Sequence, residues 1–445
     1  MALAPAPQAQ PLPATAARTG GGAMTGLVIL LFFAWGFVTV LNDPLIAKLK
    51  GLFSLNYAEA MLTQFAFFLG YFIFSAPAGA ILGRIGYVRS LVLGLVIMAA
   101  GCLMFAPAAR HAVYPGFLLA LFCVASGITI LQVAANPYIA VLGSRETSHS
   151  RLTLAQAFNS LGTFTGPFIG ALFLLQNGVA APASTDPAQL AAARIHEAEL
   201  VQRPFLVIAG VLLALALLFW LLRRVPGPVA SSSSPNPFRR VLLARPRLIL
   251  GVLSIFVYVG AEVSIGSGLT NYLMLPSVLG PHTGAIGTAL AGLLHKAGGL
   301  NAAQVAGTMV SIYWGLAMLG RFGGSFVLSR FTPGKVLCAA ALTATALVLC
   351  SAANTGLVAA AAVLAVGLAN SIMFPTIFTL ALEGLGEETA NGSALLCMAI
   401  VGGAIIPVIY GATADALGLG HALIVPACCY LVIAAYGLLT ARRPA

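Results

Sequence analysis

LVILLFFAWGFVTVLNDPLIAKL, residues Leu27–Leu49, runs apolar to Leu41, meets Asn42-Asp43-Pro44 and turns apolar again up to Lys48. An apolar run of about 20 residues is long enough to cross a bilayer as a helix. A carboxylate at that depth costs about 3 kcal/mol unless it faces protein, water or a ligand. A second acid, Glu262, lies inside the apolar run Leu248–Leu279. The chain holds 11 Asp and Glu, and the other nine fall in loops or at the ends of apolar segments. These two acids are therefore the candidates for handling a substrate or an ion.

Composition supports the same class. The 445 residues are 60% hydrophobic and only 7% charged. A soluble domain carries about 25% charged residues, so this chain lacks the charge to face water on all sides. The 48 Gly suit close helix packing in lipid. A net charge of +11 is spread between apolar segments, with no basic cluster interleaved with aromatics, so nucleic acid is not an expected partner. The seven Cys all lie in apolar stretches and read as small buried hydrophobes. The six His sit outside the apolar runs or at their edges, none at metal-ligand spacing.

Twelve apolar spans can be placed, and each is expected to be a helix, because a helix satisfies its own backbone in lipid. Residues 1–24 read as a disordered tail, 25–223 as a first six-helix bundle, 224–245 as a basic linker containing Ser231–Ser234, and 246–441 as a second bundle. Pro187–Arg203, polar in character, reads as an extramembranous helix. Sixteen of the 22 Lys and Arg fall on the side that holds both termini and the linker. The positive-inside rule then places both termini in the cytoplasm, as expected of a bacterial inner-membrane protein. The halves echo each other. Arg84 and Arg89 follow the second span, and Arg330 and Lys335, again five residues apart, follow the eighth. Such paired halves indicate parallel repeats about an axis along the membrane normal. The turn entered at Gly79 resembles the signature Gly-x-x-x-Asp-Arg-x-Gly-x-Arg/Lys of the major facilitator superfamily, with Gly83 in place of the Asp. The expected fold is that all-α membrane architecture. The four basic residues take a gating or structural role.

Polar residues inside the spans cluster by face. Pro44 removes a backbone donor beside Asn42 and Asp43, and a break there is tolerated where it lines a cavity. Gln132 and Asn136 are four apart in the fourth span, and Gln156 and Asn159 three apart in the fifth, so each pair shares a helix face. Amides both donate and accept, which suits sugar hydroxyls; the alternative is that they only bond helix to helix. In the seventh span Tyr258 and Glu262 share a face, with Asn271 further along. Trp35 and Trp314 are candidates to stack on a sugar, or else packing residues.

At these residues the chain resembles the fucose permease and glucose/galactose transporter family, sugar:cation symporters of the same superfamily. The resemblance rests on Trp35-Gly36 with Leu41–Pro44, on QVAANP at 132–137, LAQAFNSLG at 154–162, YVGAEVSIGS at 258–267, GRFGGSFVLSRFTPGK at 320–335 and FPTIF at 374–378. It implies that Asp43 serves substrate and proton handling and Asn159 binds sugar. Gln132 stands where the fucose pattern has Glu, and Glu262 where it has an amide. Both departures point to the glucose/galactose branch.

The expected function is import of a monosaccharide, a hexose such as glucose or galactose, by cation symport through alternating access. Asp43, Glu262 or both would couple to a proton, with sodium the alternative ion. Asn42, Gln132, Asn136, Gln156, Asn159, Tyr258, Asn271, Trp35 and Trp314 would hold sugar. A passive facilitator or an exporter remains an alternative, as does, more remotely, a non-transporting sugar sensor. No HExxH or GxSxG motif argues for an enzyme. No cofactor is expected. The partners are a small sugar and the lipid bilayer, with the chain acting as a monomer.

Overall fold

The computed structural model describes residues 21–142, 148–178, 186–224, 242, 244–295, 299–385 and 388–441. Most of the tail and linker, including Ser231–Ser234, lies outside the described residues. Among those described there are only helices and turns. Twelve helices are long and apolar enough to cross a membrane.

The first span is two helices, α1 (Gly21–Val40) and α2 (Asn42–Phe53), which meet at a turn at Leu41. The sequence places the cause at Pro44. Its ring has no N–H to donate to the carbonyl of residue 40 and crowds the preceding turn, and the ladder resumes with Leu45 N–H to Leu41 O, a long 3.3 Å. The break presents Asn42 and Asp43 at the first turn of α2. Spans two to six are α3 (Tyr57–Ile85), α4 (Tyr87–His111), α5 (Tyr114–Val141), α6 (Ser148–Leu174) and α7 (Pro187–Leu221).

One expectation is corrected here. Pro187–Arg203 is not a helix separate from the sixth span but the first half of the 35-residue α7, which runs unbroken through Pro204. Its Ala-rich first half favours helix strongly. It is also tied to the first span: Lys48, only 3% exposed, donates through Nζ to Glu197 Oε2 at 2.6 Å and to the Gly178 carbonyl at 3.1 Å.

The second half repeats the plan with α8 (Pro246–Leu273), α10 (Ala302–Arg330), α11 (Pro333–Ala353), and α12 (Gly356–Asn370) with α13 (Met373–Leu382) as one broken span. The eleventh span is α14 (Thr389–Met398) and α15 (Gly402–Leu417), joined by a 3-10 turn, and the twelfth is α16 (Leu419–Ala422) with α17 (Ile424–Ala441). The short apolar helix α9 (Thr283–Leu293) between α8 and α10 was not anticipated, and α8 ends at Leu273, short of the Leu279 expected from hydropathy.

Buried hydrophobics fall into two clusters, one centred in each six-helix lobe, with Ile46, Ala60 and Met61 of the first lobe packed into that of the second. Within the first lobe α1 and α6 touch backbone to backbone. A Cβ on Gly162 would lie 2.3 Å from the Phe33 carbonyl oxygen, and one on Gly36 would lie 2.3 Å from that of Asn159. Small residues are what allow such an approach in lipid. This contact fixes α1, and hence α2 and Asp43, against α6 and its amides.

Candidate functional site between the two lobes

Twelve spans, an even number, return the chain to the face from which it starts, and lobe-crossing hydrogen bonds join the helix ends on the other, called here the far face. Two seams close it, each through a helix end. At the first, the Asp415 carboxylate at the end of α15 accepts the N–H groups of Tyr57 (2.7 Å) and Ala58 (2.9 Å), the opening residues of α3. A carboxylate there satisfies orphan donors and meets the positive helix end. At the second, Asn301 Nδ2 before α10 donates to the carbonyls of Leu175 (2.9 Å) and Gln176 (3.0 Å) beyond α6, and Gln304 Nε2 donates to Leu172 O at 3.1 Å. The C-terminal lobe thus caps helix ends of the N-terminal lobe. Removing an N-cap costs about 1 kcal/mol. Asp415→Ala should therefore shift the lobes about fivefold toward far-face opening. Spin labels at Ser54 and Leu417 would report a new long-distance population. An unchanged distance distribution would remove Asp415 from the seal.

Deeper in the seam lie the intramembrane polar residues. Asp43 is 4% exposed, and its Oδ2 accepts the indole N–H of Trp314 on α10 at 3.0 Å. Asn42 Nδ2 donates to Gln64 Oε1 (3.2 Å), and Gln64 Nε2 donates to Ser267 Oγ on α8 (2.6 Å). The break at Leu41 thus directs Asn42 and Asp43 into a lobe-crossing network. The two cations of its own helix are engaged elsewhere, Lys48 with Glu197 and Lys50 over the Tyr57 ring, 4.1 Å from its centroid.

Glu262 is half-buried in the second lobe. Its Oε1 accepts the Tyr258 hydroxyl at 2.8 Å, and its backbone carbonyl accepts that of Tyr313 at 3.4 Å. Asn370 Nδ2 donates to Tyr313 OH at 2.8 Å. Arg321 stands inside the eighth span, near enough for its charge to act on Glu262, and donates to Ser160 Oγ of the other lobe at 2.8 Å.

The other expected residues separate into groups. Gln156 Nε2 donates to Asn136 Oδ1 at 3.2 Å, joining α6 to α5, and Asn159 Nδ2 donates to the Phe32 carbonyl at 3.0 Å. These three amides bond helix to helix inside the first lobe, while remaining half-buried beside Gln132. Trp35, 5% exposed and tilted against Phe32 at 5.1 Å, belongs to the core of that lobe and not to the seam. Asn271 lies on α8, and its Nδ2 is buried without a protein partner. Arg84, Arg89, Arg330 and Lys335 are exposed on the face holding the termini, and the Arg330 guanidinium lies 4.9 Å from the Phe326 ring centroid.

Several site residues escaped the sequence reading. Gln64, Tyr313 and Asn301 look ordinary until the lobes meet. Arg321 carries a usable signal, a charge within an apolar span, although the charge balance alone groups it with the flanking positive residues. Asp415 looked like a solvated helix end.

Two six-helix lobes closed at one end over buried carboxylates and amides define a secondary transporter. The chain belongs to the Major Facilitator Superfamily, whose family model matches residues 24–407. Within it the chain groups with the glucose/galactose and fucose transporters. It is 47% identical over 422 residues to a glucose/galactose transporter of Brucella abortus biovar 1 (strain 9-941), covering 95% of each chain. It is 36% identical over 419 residues to the L-fucose-proton symporter of Escherichia coli (strain K12), covering 92% of this chain and 90% of that one. A crystal structure of the E. coli fucose:proton symporter, FucP, superposes with a TM-score of 0.65 at 32% identity, covering 95% of this chain and all of that one. The resemblance read from the sequence motifs is thereby established.

Proposed function

We propose that this membrane protein carries a hexose, glucose or galactose, into the bacterial cytoplasm together with a proton. The observation that carries the reading is Asp43, a buried carboxylate at the lobe seam whose hydrogen-bond donor belongs to the opposite lobe. The names of its relatives supply the substrate class. The coupling ion is taken as a proton because the neighbours of the carboxylate are N–H and hydroxyl groups rather than the cage of oxygens that a hard cation prefers.

Buried polar atoms without a protein partner are distributed through the spans: Asn42 Oδ1, Thr270 Oγ1, Asn271 Nδ2, Ser311 Oγ and Asn370 Oδ1. Each costs about 1–3 kcal/mol if left unsatisfied. A sugar supplies hydroxyls that both donate and accept, so it complements such a set. Asn42 and Asn271 are assigned to the sugar, with Gln132, Asn136, Gln156 and Asn159 able to exchange helix-to-helix bonds for hydroxyls as the lobes move. The far-face seal corresponds to the inward-facing state, with the termini in the cytoplasm and a single chain as the working unit.

The test is uptake into proteoliposomes of labelled glucose, galactose, mannose, fucose and N-acetylglucosamine, under an imposed proton or sodium gradient. Accumulation of a hexose driven by the proton gradient alone is expected. Accumulation that requires sodium would overturn the ion assignment, and equilibration without accumulation would reduce the protein to a facilitator.

Glu262 is assigned to the sugar rather than to the proton, since its partners Tyr258 and Tyr313 lie within its own lobe. A hydrogen bond to a charged group contributes about 1.5–3 kcal/mol. Glu262→Gln should therefore weaken apparent sugar affinity about tenfold or more while proton-driven accumulation persists. Loss of accumulation with affinity unchanged would make Glu262 the coupling acid instead.

A further inference from the structure

We propose that Trp314 is the positioning residue that makes Asp43 release its proton on the face holding the termini, acting through the carboxylate and not as a platform for the sugar. The proposal rests on Asp43 being the proton carrier. The indole Nε1–H donates to Asp43 Oδ2 at 3.0 Å. An indole N–H only donates, and a donated hydrogen bond steadies a carboxylate more than a protonated carboxyl. Asp43 belongs to α2 in the first lobe and Trp314 to α10 in the second. The donor is therefore delivered by the approach of the lobes and withdrawn by their separation. The bond therefore favours the ionised carboxylate only while the lobes are together, and that preference is withdrawn when the far face opens.

The surroundings favour this role. The Trp314 ring stands edge-on to Tyr313, with centroids 5.2 Å apart and planes at 81°, which fixes the direction of its N–H. Gly266 on α8 leaves the space in which the two groups meet. A Cβ there would lie 3.2 Å from Trp314 Cζ2 and 3.7 Å from Asp43 Oδ2. The other groups around Asp43 do not offer the same control. Gln64 of α3 and Ser267 of α8 are bonded to each other, and Asn42 is bonded to Gln64. Glu262 of α8 acts on Asp43 as a like charge, and Tyr313 is its other titratable neighbour. Lys48 of α2 and Glu197 of α7 neutralise each other. Ser267 of α8 is also placed to hydrogen-bond Asp43 across the lobes, but its hydroxyl is shared with Gln64, whereas the indole N–H of Trp314 donates to Asp43 Oδ2.

The experiment compares wild type, Trp314→Phe and Asp43→Asn in proteoliposomes. Counterflow cycles a loaded carrier and needs no proton release, whereas net uptake needs it at every turnover. Trp314→Phe should slow net proton-driven hexose uptake at least tenfold and leave counterflow within about twofold. Subtracting the Trp314→Phe emission spectrum from that of wild type isolates the Trp314 fluorescence. That signal should change with pH in wild type and lose its pH response in Asp43→Asn. Equal loss of counterflow and net uptake would make Trp314 a sugar-binding or structural residue and overturn the proposal, as would a pH-insensitive Trp314 signal. Full net uptake by Trp314→Phe would also overturn it. Should Trp314→Phe not fold, total tryptophan emission is compared instead, and Gly266→Ala, which crowds the same contact, must lower its pH response relative to wild type for the proposal to stand. If Asp43→Asn itself retains proton-driven accumulation, the failure lies with the carrier assignment and not with Trp314.

Discussion

Asp43→Asn is expected to abolish uphill uptake while sparing exchange. One proton crossing a gradient of one pH unit supplies about 1.4 kcal/mol, enough for about tenfold accumulation of a sugar carried with it. Wild-type vesicles should approach that ratio, and the variant should stop at equal concentrations on both sides. Asparagine keeps an oxygen where Oδ2 accepts the Trp314 N–H, so the lobe-crossing bond and the break at Leu41 both survive the change. What is lost is the group that binds and releases a proton. Labelled-hexose accumulation under an imposed pH gradient, with counterflow and thermal stability as controls, measures the two properties separately. Tenfold accumulation by a well-folded Asp43→Asn variant would exclude this carboxylate from coupling.

A change far from any charge should be equally severe. In Gly162→Leu the new Cβ would lie 2.3 Å from the Phe33 carbonyl oxygen and 2.7 Å from the Phe37 nitrogen, both backbone atoms of α1. Neither can swing aside as a side-chain end could, so α1 and α6 must separate. Overpacking that moves backbone falls among the rare substitutions costing more than about 4 kcal/mol. A fluorescent fusion should give little monodisperse protein by size-exclusion chromatography, with no transport. Gly210→Ala, where a Cβ meets nothing within 4 Å, serves as the control and should behave as wild type. Normal yield of the Gly162→Leu variant would mean that the α1–α6 contact is looser than these distances imply.

The two predictions act on different parts of one device. The glycine contact holds the first span rigidly against the fifth. Pro44 then releases the ladder at Leu41, and the following turn delivers Asn42 and Asp43 to the seam. The helix-end caps at Asp415 and Asn301 close the far face around that seam. A carboxylate left in water would serve neither sugar nor proton in a coupled way. In the proposed cycle Asp43 couples sugar to proton because its surroundings change as the lobes move.

The sequence alone determined the class, the twelve spans, the two-lobe plan and the two acids that lie inside the spans. Each follows from one-dimensional physics: apolar length against bilayer thickness, and the cost of a charge in hydrocarbon. The break at Pro44 was legible for the same reason, since a missing N–H is a local fact. Tertiary structure decided the partners. Nothing near residue 43 in the chain announces that its donor is Trp314, 271 positions away, nor that Gln64 reaches Ser267 or that Asp415 caps α3. It also divides residues that look alike in the sequence, sending Trp35 into a core and Trp314 to the seam, and it joins Pro187–Arg203 to α7. Lobe-to-lobe contacts depend on how two separately folded bundles meet, and helical periodicity within either bundle leaves that meeting unspecified.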